Sequence, residues 1–328
     1  MNLHKNIQLF QQAIRVTSDR LQIPSIYIEK DYWVTYALYL IFHDAIGRET
    51  IFKGGTALSK CFNFIERFSE DVDLVVLRHE GESDSRLKSK LKAIGNVIQT
   101  VLPEIEIEGL TRKRGMIRKT AHTFPKKFEG NYGQIREFIV LESTWLGNYE
   151  PYEEKNIISM VGKMMQETGQ EEMARTYELL PFPVQILSPL RTICEKIMSL
   201  VRFSHSDQPI DDLKNKVRHI YDLHQLLQNN QFADFLHSTE FEKMLIQVGK
   251  DDFIGFRNNN EWLDYHPSEA LIFQDTERVW PYLKDTYKRD FKNYVYGELP
   301  HEEKVLETLI RIKERVALIQ WPGFTRRG

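Results

Sequence analysis

Apolar residues recur at helical spacing over residues 3 to 21, with Leu9, Phe10, Ile14 and Leu21 in step, and Pro24 closes that helix. A second helix is predicted over residues 28 to 42, too apolar on every side for a surface position, so it should pack beneath a sheet. The period then changes. Ile51 and Phe52 open a short strand, Gly54 and Gly55 interrupt it, and Thr56 to Glu66 returns Ala57, Leu58, Cys61, Phe62 and Ile65 at helical spacing. A strand is predicted over 71 to 77 and a helix over 84 to 102, stopped by Pro103. Two more strands follow, at 105 to 108 and 134 to 143. Residues 144 to 180 read as loop-rich with a short helix at 171 to 179. Beyond Pro181-Phe182-Pro183 the pattern is helical: 189 to 203, 211 to 228, 233 to 247, 268 to 294 and 300 to 319. The expected class is α+β, with a strand-bearing domain over residues 1 to 180 and an all-helical domain over 181 to 328.

A chain of 328 residues, 41% hydrophobic, can bury one large core or two medium ones. Its formal net charge of −3 argues against nucleic-acid binding by the whole surface but leaves room for a local patch. One such patch is legible. Residues 111 to 127 hold Arg112, Lys113, Arg114, Arg118, Lys119, Lys126 and Lys127, with His122 and no acidic residue, which reads as a solvated hairpin or as a contact for RNA. Cys61 and Cys194 fall on apolar helix faces and read as small buried hydrophobes. No run of 18 apolar residues occurs and the first residues lack the apolar core of a signal peptide, so no membrane span and a cytoplasmic location are expected.

Chemistry concentrates between residues 51 and 77. The paired glycines lie at a helix N-terminus, where close backbone approach, unpaired N–H groups and the helix dipole all favour phosphate. Asp71 and Asp73 are two apart in a strand and so point to one face, with Cα atoms about 6.6 Å apart. At an effective dielectric of 20 their repulsion is roughly 2.5 kcal/mol, which a divalent cation removes; carboxylates shared with nucleotide phosphates suit Mg²⁺. Lys30 and Asp31 read more readily as a structural ion pair than as groups approaching a nucleotide. In the C-terminal half, Ser188 and Pro189 start a helix whose apolar stripe Glu195 and Lys196 interrupt. Arg218 and Asp222, four apart, share a helix face. Trp262, Tyr265, Trp280, Tyr282 and Tyr287 read as packing residues before base-stacking ones.

The order strand, Gly-Gly, helix, strand with Asp-x-Asp resembles the core of the nucleotidyltransferases that share the fold of DNA polymerase β. Lys53-Gly54-Gly55-Thr56-Ala57-Leu58-Ser59-Lys60 and Arg67-Phe68-Ser69-Glu70-Asp71-Val72-Asp73-Leu74 resemble, more closely, the AbiEii/AbiGii toxin family. The resemblance implies a polymerase-β-like lobe, a mixed sheet flanked by helices, followed by a helical lobe with the active site in the cleft between them. It implies transfer of a nucleotide from an NTP to an acceptor, with Asp71 and Asp73 on Mg²⁺ and a third carboxylate from a later strand, Glu142 in preference to Glu137. Gly54, Gly55, Thr56, Lys60, Arg67 and Ser69 fall on the nucleotide side. The Glu195-Lys196 and Arg218-to-Leu223 phrases resemble the family's later motifs, which assigns Lys196 to nucleotide phosphates and Asp222 to the opposite side of the cleft. Where relatives carry a further acid, this chain has His219 or Ile220. The implied setting is a bacterial toxin–antitoxin or abortive phage-infection system, with a cognate antitoxin as partner and RNA, such as a tRNA 3′ end, as acceptor. A small-molecule or protein acceptor and a non-catalytic nucleotide-binding module are the alternatives.

Overall fold

A computed structural model describes residues 1–69, 71–113, 115–130, 136–147, 149–256 and 259–324. Glu70, Arg114 of the basic run, Gln134 and Ile135 of the predicted strand, and Asn258 lie outside the described residues. The chain divides into two units: Met1–Asn63, Phe68–Trp145 and Tyr152–Leu187 form one, and Phe64–Arg67, Leu146–Pro151 and Ser188–Gly328 the other.

The first unit is built on a mixed sheet that has seven strands among the described residues: β1 Thr50–Lys53, β2 Asp71–Val76, β3 Glu104–Ile105, β4 Ile117–His122, β5 Ile139–Thr144, β6 Tyr152–Ile157 and β7 Phe182–Leu187. Their order is β3-β4-β5-β2-β1-β7-β6. β1 runs antiparallel to β2 and parallel to β7, and β2 runs parallel to β5. Its helices are α1 Ile7–Leu21, α2 Ser25–His43, α3 Gly54–Phe62, α4 Asp84–Gln99, α5 Met160–Glu167 and α6 Glu171–Thr176. As its uniform hydrophobicity predicts, α2 is buried along its length, from Ile28 and Trp33 to Leu38 and Ile41, and packs with α1, α4 and α5.

Several boundaries differ from the sequence pattern for local reasons. The first helix begins at Ile7 rather than Leu3, because the Asn6 side chain accepts the Leu9 N–H and caps it; Leu3–Lys5 is a separate 3₁₀ turn. α3 starts on Gly54 itself and stops at Asn63, in the left-handed conformation, instead of reaching Glu66. The predicted strand at 134 to 143 is Ile139–Thr144. Three strands went unpredicted. β4 lies inside the basic run and is too polar to show an apolar alternation. β6 is an edge strand carrying Glu153, Glu154 and Lys155, charges that suit an unpaired edge but erase the strand pattern. β7 contains Pro183, part of the Pro181-Phe182-Pro183 stretch that reads in sequence as a boundary.

Beyond Leu187 the second unit is helical: α7 Pro189–Ser204, α8 Pro209–Lys214, α9 Val217–Leu227, α10 Asn230–His237, α11 Thr239–Gly255, α12 Leu271–Gln274, α13 Thr276–Asp285 and α14 Glu302–Ala317. The segment predicted as one helix over 211 to 228 is α8 and α9. That over 268 to 294 is α12 and α13 followed by a π turn at Thr286–Asp290 and a 3₁₀ turn at Phe291–Tyr294. Trp262, Trp280 and Tyr287 are packing residues, buried as expected, whereas Tyr265 and Tyr282 are exposed. Both cysteines are free; Cys194 is buried and Cys61 half-buried.

Candidate functional site

In the first unit, strand register assembles a row of charges. Asp73 on β2 is opposite Lys53 on β1 and Glu142 on β5, and Glu142 is in turn opposite Lys119 on β4. Residues in direct register point to the same side of a sheet, so Lys53, Asp73, Glu142 and Lys119 share one face. Asp71, two residues before Asp73, lies on it too, beside Val140. Glu137 precedes β5, is 65% exposed and pairs with Lys126 at 2.6 Å. Of the two acids considered, Glu142 is therefore the one brought level with the Asp-x-Asp pair.

Gly54 is where this row meets α3. Its φ is +80°, and a Cβ there would lie 2.2 Å from Asp73 Oδ2, so a side chain at this position meets both backbone strain and a carboxylate. Gly55 follows, buried in the first turn. The Thr56 hydroxyl donates to the Asp71 carbonyl at 2.6 Å and lies 2.9 Å from Ser69 Oγ, which fastens the start of α3 to the start of β2. Lys60 is committed to Asp31 and lies 2.7 Å from Thr35 Oγ1, while Asp31 also accepts the Met160 N–H at 2.8 Å. Asp31 thus joins α2, α3 and α5, and its ion-pair partner is Lys60. Lys30, its neighbour along α2, projects in another direction and donates to the Arg136 carbonyl.

Two cations hold the outer carboxylates. Arg136 Nη1 donates to Asp71 Oδ1 at 3.1 Å, and Lys119 Nζ lies 2.9 Å from Glu142 Oε2. Sequence reasoning gave neither residue a role at this site. The partners are joined only through β2–β5 and β4–β5 pairing, for which no local pattern speaks. Among the described residues, no three Asp, Glu, His or Cys side chains are gathered closely enough to hold a metal ion. The donor chemistry of Asp71, Asp73 and Glu142 suits a hard divalent cation, but their side chains as placed do not converge. The basic run is also less free than its sequence suggests. Lys113 and Arg118 pair with Glu104, and Lys119 and Lys126 pair with Glu142 and Glu137, so acids outside the run engage four of its cations.

The second unit holds Lys196, Asp222 and Arg67. Arg67 grips Asp222 with two hydrogen bonds of 2.7 Å, and Lys196 Nζ lies 2.7 Å from the same carboxylate. Asp222 is wholly buried and is satisfied by these two cations, rather than by Arg218 one turn away. Burial alone would raise its pKa, but Arg67 and Lys196 bring it below the usual range. Burial pulls the Lys196 ammonium down, against the opposing pull of Asp222. Burial, reinforced by Lys196, pushes His219 well down, and its Nδ1 is a buried atom with no hydrogen-bond partner among the described residues. Arg67 therefore acts on Asp222; its guanidinium is already engaged.

The chain was compared with known proteins. A family model described as "Nucleotidyl transferase AbiEii toxin, Type IV TA system" matches residues 37–310. No curated protein matches the chain. Among solved structures it is similar to JHP933 from Helicobacter pylori, with 12% identity and a TM-score of 0.44 over 88% of this chain and 92% of that one. It is also similar to MenT4, the nucleotidyltransferase toxin Rv2826c from Mycobacterium tuberculosis H37Rv, with 16% identity and a TM-score of 0.47 over 91% and 98% of the respective chains.

Proposed function

The chain belongs to the AbiEii family of nucleotidyltransferase toxins of type IV toxin–antitoxin systems, and from that premise we propose that it transfers a nucleotide from an NTP to an RNA acceptor on the sheet face carrying Asp71, Asp73 and Glu142. Membership implies an NTP substrate and an antitoxin partner. The observation that carries the proposed site is the register of Asp73 with Glu142, with Gly54 against the Asp73 carboxylate. No helix among the described residues is long and apolar enough to cross a membrane.

In the proposed reaction an acceptor hydroxyl attacks the α-phosphorus of the NTP. The new O–P bond forms as the bond to the β-phosphate oxygen breaks, pyrophosphate leaves, and the hydroxyl proton passes to solvent. Mg²⁺, when held by Asp71, Asp73 and Glu142, would neutralise charge developing on the phosphates. The first N–H groups of α3, at Gly54 and Gly55, would donate to phosphate oxygens. Thr56 and Ser69 keep α3 in position on β2, and Lys60 keeps it on α2, so these three support the phosphate cradle. Within the helical unit Asp222 fixes the Lys196 ammonium, and the family resemblance assigns that lysine to nucleotide phosphates. Arg67 positions Asp222.

The RNA acceptor, a tRNA 3′ end included, rests on the family resemblance. The acids paired with Lys113, Arg118, Lys119 and Lys126 reduce the charge of the basic run, which favours a second reading, a small-molecule or protein acceptor. Incubating the protein with each α-labelled NTP, Mg²⁺, total RNA and cell protein separates the two. Label in RNA supports the first reading; label confined to protein or a small product transfers the assignment to the second.

A further inference from the structure

The buried cluster of the helical unit carries an unbalanced charge. Arg67, Lys196 and Asp222 are 4%, 6% and 0% exposed, and two cations against one carboxylate leave one positive charge in excess. A buried charge without a counter-ion is costly, so the excess calls for an anion. Asp222 engages one N–H of the Lys196 ammonium, which has two further donors to offer. His219 stands beside this charge. It lies three residues before Asp222 on α9 and so on the same helix face. Its Nδ1 is sealed from solvent and has no hydrogen-bond partner among the described residues. The ring as a whole is half-buried and its neighbour Arg218 is exposed, so basic groups extend from the surface of the helical unit down to Lys196.

Besides Asp222 one turn on, the charged groups that bear on the His219 ring are cations: Lys196 from α7, Arg67 from the segment before β2, and Lys216 and Arg218 from α9 itself. α14 and the π turn act on other parts of α9, where Lys304, Glu307 and Arg311 bear on His224, and Tyr287 on Tyr221. Burial first, and then these cations, keep His219 neutral in the free protein. A dianion set against Arg67 and Lys196 takes the sum of the buried charges from +1 to −1, and a proton on His219 returns it to zero. A phosphodiester, with its single charge, would leave the cluster neutral and give no reason for the proton. Resting on the reading of Lys196 as a group for nucleotide phosphates, we propose that Lys196, Arg67 and His219 form a proton-linked site for a terminal phosphate group. As the dianion binds, the imidazole takes a proton from solvent and donates a hydrogen bond to a phosphate oxygen from Nδ1. Binding of the phosphate and of the proton then favour each other.

Sulfate tests the linkage on the full chain, because it is a dianion that does not itself titrate near neutral pH, so any proton taken up belongs to the protein. Calorimetry at pH 7.5 and 5.5 should show sulfate binding tighten by about tenfold on acidification, up to a limit of about tenfold per pH unit for one linked proton. His219→Gln should bind sulfate within about twofold of wild type at pH 7.5 and lose the gain at pH 5.5, whereas a merely structural role would shift both affinities alike. The magnetic resonance signal of the His219 ring, assigned by its loss in that variant, should titrate at higher pH in saturating sulfate than without it. Should the variant fail to fold, wild type still decides: titrations in buffers of different ionisation enthalpy count the protons taken up with each sulfate at pH 5.5, and a count near zero overturns the proposal. Absence of sulfate binding, or a His219 titration that sulfate does not move, overturns it as well. Metal-free inorganic triphosphate should displace the sulfate, and a short ribo-oligonucleotide lacking terminal phosphates should not; displacement by the oligonucleotide alone would overturn the assignment to a terminal phosphate. Label transfer by wild type, followed in parallel, reports on nucleotidyl transfer alone, so the two readings fail separately.

Discussion

The charged clusters of the two units are built on opposite principles. On the sheet of the first unit, Lys119 pairs with Glu142 and Arg136 with Asp71, and the members of both pairs are partly exposed. In the helical unit, Asp222 is wholly buried and shared between Arg67 and Lys196. An exposed pair contributes little and exchanges readily, whereas a buried carboxylate that loses its cations, or cations that lose their carboxylate, cannot turn to water. The first arrangement suits groups that must release one partner for another during a reaction. The second suits groups that must stay where they are. Sequence alone shows the same residue types in both places; only burial separates them.

The sharpest way to break this contrast is Asp222→Asn, which strands Arg67 and Lys196 without an anion. We expect a loss of about 3–5 kcal/mol in urea unfolding. A loss below about 1 kcal/mol would place Asp222 with the exchangeable pairs. Next is Gly54→Ala, where positive φ and the Asp73 carboxylate both oppose the methyl group, for an expected cost of about 1–3 kcal/mol. Repeating it in an Asp73→Ala background removes the clash but not the backbone strain, so the cycle should recover part of that cost and leave the rest.

A smaller effect follows from histidines that burial keeps neutral. His122, wholly buried between the Leu102 carbonyl and Thr120 Oγ1, and His219 both titrate below the ordinary value, and His4 is pulled down to about 4. In each case the unfolded chain binds the proton first. Their stabilisation is complete above the unfolded pKa of about 6.5 and is lost as pH falls from there towards the folded pKa. Unfolding free energies from urea titrations at pH 7, 6 and 5 should fall, with a slope approaching about 1.4 kcal/mol per pH unit for each proton taken up. Smallest of all is Lys126→Met. Its pair with the exposed Glu137 belongs to neither cluster, and stability should change by less than about 0.5 kcal/mol.

What could be read in the chain divides along the same line. The buried α2, the Gly-Gly turn and the two aspartates of β2 were legible because helical and strand periodicities act over a few residues. Lys196 and Asp222 stood out as polar groups on apolar helices. The resemblance put Arg67 on the nucleotide side, but its pairing with Asp222 was not legible, since 155 residues separate the two. The roles of Lys119 and Arg136 depend on β5 pairing with both β2 and β4, and β4 has no apolar alternation to announce it. For the same reason the basic run looked free of acids: Glu104, Glu137 and Glu142 reach it only through the fold.

The central claim is that the carboxylates on the sheet of the first unit perform nucleotidyl transfer. The most direct test is Asp73→Asn, assayed side by side with wild type for transfer from each α-labelled NTP and for urea unfolding. The account predicts that label transfer falls at least about a thousandfold, on the order of 4 kcal/mol in transition-state stabilisation, while unfolding changes by less than about 1 kcal/mol. Transfer that persists within about tenfold of wild type in the folded variant would contradict it.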